Sequence, residues 1–214
     1  MTAAAVEASL RAVATPFVAG TASEGHGRGS DGTSDGREGG GVELRWGPFF
    51  ASLDRRGDDE YVEALELIYE GYLLHYRTGR LGIVSADDPQ TALLAGDVFY
   101  ARGLDLIAIR GDVASVALLA RLMSACSCLR SLAAPFSDDD AVWAYAVAAL
   151  AALRAGRPAE RAGAFFDELD AMLAEGAPAA VPRRAAAAAA ALGLPDPAPL
   201  AAAFAAPDRP ADPR

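Results

Sequence analysis

The stretch Asp88-Pro89-Gln90-Thr91-Ala92-Leu93-Leu94-Ala95-Gly96-Asp97-Val98-Phe99-Tyr100-Ala101-Arg102-Gly103 carries most of the information about this chain. A capping residue followed by proline is the favoured opening of an α-helix. The apolar positions then recur at helical rather than alternating spacing. Two glycines, Gly96 and Gly103, sit seven residues apart inside the helix, with Tyr100 between them on nearly the same face. Each interior glycine costs about 1 kcal/mol relative to alanine, and close approach of a neighbouring helix is the usual compensation. Asp97 lies directly after Leu93-Leu94-Ala95, so its carboxylate needs a partner or water.

Outward from this helix every segment reads the same way. Upstream, Asp58 and Asp59 precede Tyr61-Val62-Glu63-Ala64-Leu65-Glu66-Leu67-Ile68-Tyr69, predicting a helix to about Arg77 that stops in the Gly79–Gly82 turn. Downstream, the quoted helix runs to about Arg110 and stops at Gly111. Asp112 caps the next, which extends to about Ala133, before Pro135. Asp138, Asp139 and Asp140 suit the positive end of a helix reaching Ala155, with Gly156 as its stop. Pro158 starts another that ends at Gly176. Residues 179–192 read as helical and the Pro-rich end as a frayed tail. Near the start, residues 2–18 place Val6, Leu10, Val13 and Phe17 on one stripe. No segment alternates with period two, so the fold class is all-α, a helical bundle.

Composition divides the chain. Residues 1–18 form an N-terminal helix, 19–41 a Gly/Ser-rich linker expected to be disordered, 42–206 the helical domain, and 207–214 a disordered tail. The chain has 214 residues and a net charge of −10, and all 19 basic residues are arginine. An acidic chain does not suit nucleic-acid binding, which needs a basic face. Cys126 and Cys128 are too few for a disulfide framework and, two apart on a helix, do not share a metal. They read as free buried thiols. Glu7 and Arg11 interrupt the first apolar stretch, which is no leader, and the uncharged run Ala141 to Leu153 is shorter than the roughly 20 residues of a membrane span. A cytoplasmic protein without a membrane span is the expectation.

Leu93-Leu94-Ala95-Gly96-Asp97-Val98-Phe99-Tyr100-Ala101-Arg102 resembles the Gly-Asp helix of the trans-isoprenyl diphosphate synthases, the polyprenyl synthetases. Ala64-Leu65-Glu66-Leu67-Ile68 through Leu73-Leu74-His75 is similar to the family's helix that ends in His before the first aspartate-rich motif. The resemblance implies an isoprenoid-synthase-like, truncated helical fold. The departures bear on activity. Active members follow the His with Asp-Asp-x-x-Asp, whose carboxylates hold magnesium on a diphosphate, whereas this chain reads His75-Tyr76-Arg77-Thr78. No second such motif appears. Asp138-Asp139-Asp140 has the wrong spacing and sits where a helix cap is needed, and Asp58-Asp59-Glu60 and Asp87-Asp88 also look like caps. The family's diphosphate-gripping Gly-Lys-Arg-Leu-Arg-Pro corresponds at best to Gly41-Val42-Glu43-Leu44-Arg45-Trp46, where Glu43 repels a diphosphate and Arg45 is retained.

The chain also resembles, in length and in what it lacks, the small subunit of two-component heptaprenyl diphosphate synthases. That resemblance implies a non-catalytic partner of a catalytic prenyltransferase, helping to set product chain length for menaquinone side chains. It implies no catalytic residue, no metal and no cofactor of its own. The partner implied is a catalytic polyprenyl synthase, in a hetero-oligomer, or a second copy. The alternative is a stand-alone helical binding protein derived from that fold. Autonomous prenyl transfer is the weakest reading, because magnesium-dependent ionisation has no visible ligands.

Individual residues have a plain reading beside the specific one. His75 is either a relic of a metal-site helix or a half-buried helical histidine, and the lack of adjacent carboxylates favours the second. Asp97 is more simply a helix carboxylate bonded to a neighbouring helix than a catalytic group. Tyr69, Tyr72, Tyr76 and Tyr100, with Gly103, suit a tunnel or a subunit interface, but packing is the plainer account. Trp143, Tyr145, Phe165, Phe166, Leu169, Met172 and Leu173 read as core or helix-contact residues.

Overall fold

The structure, a computed structural model, describes residues 2–20, 41–54, 56–85, 87–176, 178, 180–196 and 198–205. Nearly all of the expected 19–41 linker and the 207–214 tail lie outside the described residues. Among the described residues there are nine helices and no strand, so the fold is all-α. They are α1 (Ala3–Gly20), α2 (Trp46–Leu53), α3 (Asp59–Tyr76), α4 (Pro89–Ala108), α5 (Val113–Ser131), α6 (Phe136–Arg154), α7 (Ala159–Ala174), α8 (Val181–Ala191) and α9 (Ala198–Ala205).

Two helices are buried almost all round and organise the rest. α3 is enclosed from Ala64 to Leu74, with α1, α2 and α4 against it. α6 is enclosed from Ala141 to Ala152, with α2, α5, α7, α8 and α9 around it. The side chains explain why α6 admits so many neighbours. Between its large anchors Trp143, Tyr145 and Leu150 it is mostly alanine, so helix axes approach from every side. Aromatic contacts of Trp143 with Tyr69 and Tyr72 tie the two central helices together.

Two caps form as the sequence requires. Asp88 accepts from the Thr91 backbone N–H and Asp112 from that of Ser115, each at 3.0 Å. Gly111, at φ +73°, turns α4 into α5. The acidic triplet lies at the start of α6, with Asp138 and Asp139 in its first turn as expected, but it does not cap the helix. The residue before α6 is Pro135, without a side-chain cap, and Asp138 and Asp139 are buried instead. Nor does Asp58 cap α3 with its side chain, which instead pairs with Arg154.

Three further expectations change. The Pro-rich end is not frayed up to residue 205, because α9 inserts Leu200 into the core. α2, built on Trp46 and Phe50, joins α3 to α6 although its eight residues show too little periodicity to be read. Cys126 is buried as expected but Cys128 is exposed. At the N-terminus, α1 lays Val6, Leu10 and Ala14 into the same core as the later helices. Among the described residues α5 alone is long and apolar enough to cross a membrane by length and composition, and 39% of its apolar window is buried in the bundle. Arg121 and Arg130 interrupt it, so it holds no uncharged run as long as Ala141 to Leu153.

Candidate functional site

The α3–α4 contact is set by three glycines. A Cβ on Gly103 would lie 2.8 Å from the Ala64 carbonyl oxygen and 2.6 Å from Ile68 Cγ1. One on Gly71 would lie 2.9 Å from the Gly96 carbonyl oxygen and 2.8 Å from Tyr100 Cδ1, and one on Gly96 would collide with the His75 ring. The backbones therefore touch along two turns, the compensation that interior glycines require. Gly71 lies on the helix facing the quoted stretch, and only the pairing of the two helices reveals its part.

That approach fixes the side chains at its edge. His75 Nε2 lies 3.2 Å from Asp97 Oδ1, across the helix pair. Asp97 is 70% exposed while His75 is largely covered, so the carboxylate joins the histidine to the solvent side. The His75 ring packs against Tyr100, centroids 5.0 Å apart, and against Tyr76 at 5.7 Å. Tyr76 in turn meets Tyr72 at 5.5 Å. His75, Tyr72, Tyr76, Tyr100, Gly96 and Asp97 are thus one cluster, and Gly103 extends the same helix seam.

Behind the tyrosines lies a buried ionic group. The Tyr72 hydroxyl donates to Asp139 Oδ2 at 2.5 Å, and Arg130 Nε lies 2.8 Å from the same oxygen. Arg130 also donates to the Ala134 carbonyl at 2.6 Å, which closes the α5–α6 corner. Burial pushes Asp139 up to about 6 against the pull of Tyr72 and Arg130, and Asp140 beside it pushes the same way. Burial and the Asp139 charge hold the Tyr72 phenol protonated throughout the working range. Burial likewise holds the Cys126 thiol well above its ordinary value, and Tyr100 is raised chiefly by burial and then by Cys126. Tyr72, Tyr100 and Cys126 are thus held protonated at neutral pH, and Asp139, though raised toward neutrality, is occupied by the Tyr72 hydroxyl and Arg130.

Arg45 enters from the residue before α2. Its guanidinium lies 2.9 Å from Asp140 Oδ2, donates to the Tyr69 hydroxyl at 3.0 Å and covers the Trp46 ring at 4.7 Å. Trp46 stacks on Trp143 with centroids 5.6 Å apart and planes 10° from parallel. Tyr69 stacks on Tyr72 at 5.9 Å, so Arg45 reaches the tyrosine cluster through aromatic faces and not directly.

Beside it, Glu66 and Glu70 are fully buried, one turn apart on α3, and share Arg80 at 2.5 Å and 2.8 Å. Glu66 Oε1 also accepts the backbone N–H groups of Arg45 and Gly47 at 2.8 Å and 2.7 Å. This ties the start of α2 to α3. Two glutamates at i and i+4 within an otherwise apolar helix were the available sign of a buried cation, and the sequence reading passed over them.

The chemistry open to this arrangement is narrow. Among the described residues no group of three or more His, Cys, Asp or Glu side chains is placed to hold a metal ion. Asp139 and Asp140 face two different arginines, Arg130 and Arg45, so the triplet fits neither a magnesium site nor a helix cap. A separate cavity of about 230 Å³ lies where α1, α2 and α3 meet, apolar on Val6, Leu44, Phe50 and Val62 and acidic at Asp54 and Asp58. Arg154 is bonded to both carboxylates. Comparison with protein-family models, curated proteins and solved structures finds no match to this chain.

Proposed function

We propose that the chain is a non-catalytic, polyprenyl-synthase-like subunit that binds a catalytic trans-prenyltransferase in isoprenoid synthesis and modulates it by contact. The observation that carries this reading is the state of the side chains at the positions resembling the family's diphosphate machinery. Arg45 is spent on Asp140 and Tyr69, and His75 faces Asp97 across the helix pair. Arg77, two residues after His75, covers the Phe136 ring at 4.8 Å. Such a set stabilises a bundle and leaves no array of charges directed at a diphosphate. The close α3–α4 seam supports the same reading, because it gives a rigid scaffold without a reactive group.

Co-expression of the chain with the long-chain prenyl synthase of its host tests the proposal. The expected result is co-purification in a defined ratio. Failure to co-purify together with an unchanged product length overturns it, as does magnesium-dependent turnover of allylic and isopentenyl diphosphates by the chain alone.

The stand-alone alternative, a helical binding protein, draws on the cavity between α1, α2 and α3. It predicts an apolar ligand that protects the chain thermally and is lost on Val62→Trp, with no effect on any prenyl synthase.

A further inference from the structure

We infer that the groove holding α1 is a docking site for a helix of another protein, and that α1 is its exchangeable occupant. α1 buries a single row, Val6, Leu10 and Ala14, at steps of four. α3 behind it is enclosed from Ala64 to Leu74. Pro16 lies inside α1 and removes one of its backbone hydrogen bonds. An 18-residue helix with one buried row is marginal by itself and owes its order to the groove.

The fit is loose at both ends. A cavity of about 230 Å³ lies beside Ala3 and Val6, against Leu44, Phe50 and Val62. A second, of about 300 Å³ and open to solvent, lies beside Ala14, Thr15 and Val18, against Ile83. Between them Leu10 is fully buried, the Ser9 hydroxyl donates to Glu63 of α3, and Glu7 accepts the Val42 backbone N–H at 3.2 Å. The α3–α4 seam, by contrast, is filled to backbone contact. Protein interiors are close-packed, so a groove filled only at its centre suits a bulkier helix than the one it holds.

The partner's chemistry follows from this geometry. It is an amphipathic helix whose apolar row repeats at steps of four, with leucine-sized side chains where α1 has Ala3 and Thr15. Such a helix displaces α1, because both need the site of Leu10. Twenty residues join Gly20 to Gly41, and a chain of that length spans up to about 70 Å, so α1 leaves without moving Val42. The groove needs no prenyl synthase, so its test is separate from that of the proposed function.

Hydrogen exchange of the full chain reads the opening directly. Amides of α1 should exchange at least about 100-fold faster than those of Leu65 to Leu73 in α3. Leu10→Glu should release α1 while α3 and α6 keep their protection. A labelled peptide of residues 2–20 should bind the Leu10→Glu chain at least about tenfold more tightly than the wild-type chain, whose own α1 competes. The same peptide with Ala3→Leu and Thr15→Leu should bind about tenfold more tightly again. Equal protection of α1 and α3 in the wild-type chain overturns the inference, as does loss of α3 and α6 protection in Leu10→Glu. So does a peptide that binds both chains alike or neither, or an enlarged peptide that binds no more tightly.

Discussion

Gly103 shows how one hydrogen atom decides a helix pair. Alanine there puts a methyl group against the Ala64 carbonyl oxygen, which is backbone and has nowhere to move. Gly103→Ala should therefore destabilise by about 1–3 kcal/mol in chemical denaturation, although alanine is the better helix former. Arg80 is a second such residue. Its removal leaves Glu66 and Glu70 buried without their cation, and Arg80→Ala should cost about 3–5 kcal/mol in the same measurement. Asp139 supplies a pH signature. Its folded-state value of about 6 lies above that of an unfolded aspartate, so its contribution favours folding fully below the ordinary carboxylate range and is lost as pH rises through 6. Stability should thus fall between about pH 4 and pH 6.5 relative to Asp139→Asn, which lacks that titration. A wild-type curve parallel to that of Asp139→Asn contradicts the assignment. In the sequence Asp139 was one of three like residues at a helix start. Nothing local distinguished an N-terminal charge from a buried partner of Arg130, because that partner lies on the previous helix.

At the scale of elements, what was legible is what is local. Asp88-Pro89 and Asp112 announce α4 and α5 because a cap acts within three residues of itself. Asp112 does more than cap, since its Oδ2 also accepts from the Tyr61 hydroxyl at 2.6 Å and joins α5 to α3. Asp112→Ala should cost about 1–2 kcal/mol, whereas Asp88→Ala should cost about 1 kcal/mol, the cap alone. Equal losses by thermal denaturation contradict the joint role of Asp112. α2 and α9 escaped the sequence reading because eight residues make barely two turns, and their helicity is induced by docking Phe50 and Leu200. α1 was legible as a helix, but its attachment was not, because Val6, Leu10 and Ala14 fit any apolar groove equally well in one dimension.

For the whole molecule, the helical class followed from periodicity and the absence of alternation, and the structure has that class. The functional reading rests on less. The α3 and α4 motifs carry a resemblance, and the structure shows them packed backbone to backbone, with His75 of one facing the exposed Asp97 of the other. On the proposed reading, an acidic, lysine-free chain whose Arg45 is tied to Asp140 acts through contact with a partner. The measurement that tests this most directly is the chain-length distribution of prenyl diphosphates made by the host's long-chain synthase with and without the purified chain. The account predicts a distribution that changes on addition of the chain, with no product from the chain alone. An identical distribution in both samples, or product from the chain by itself, contradicts it.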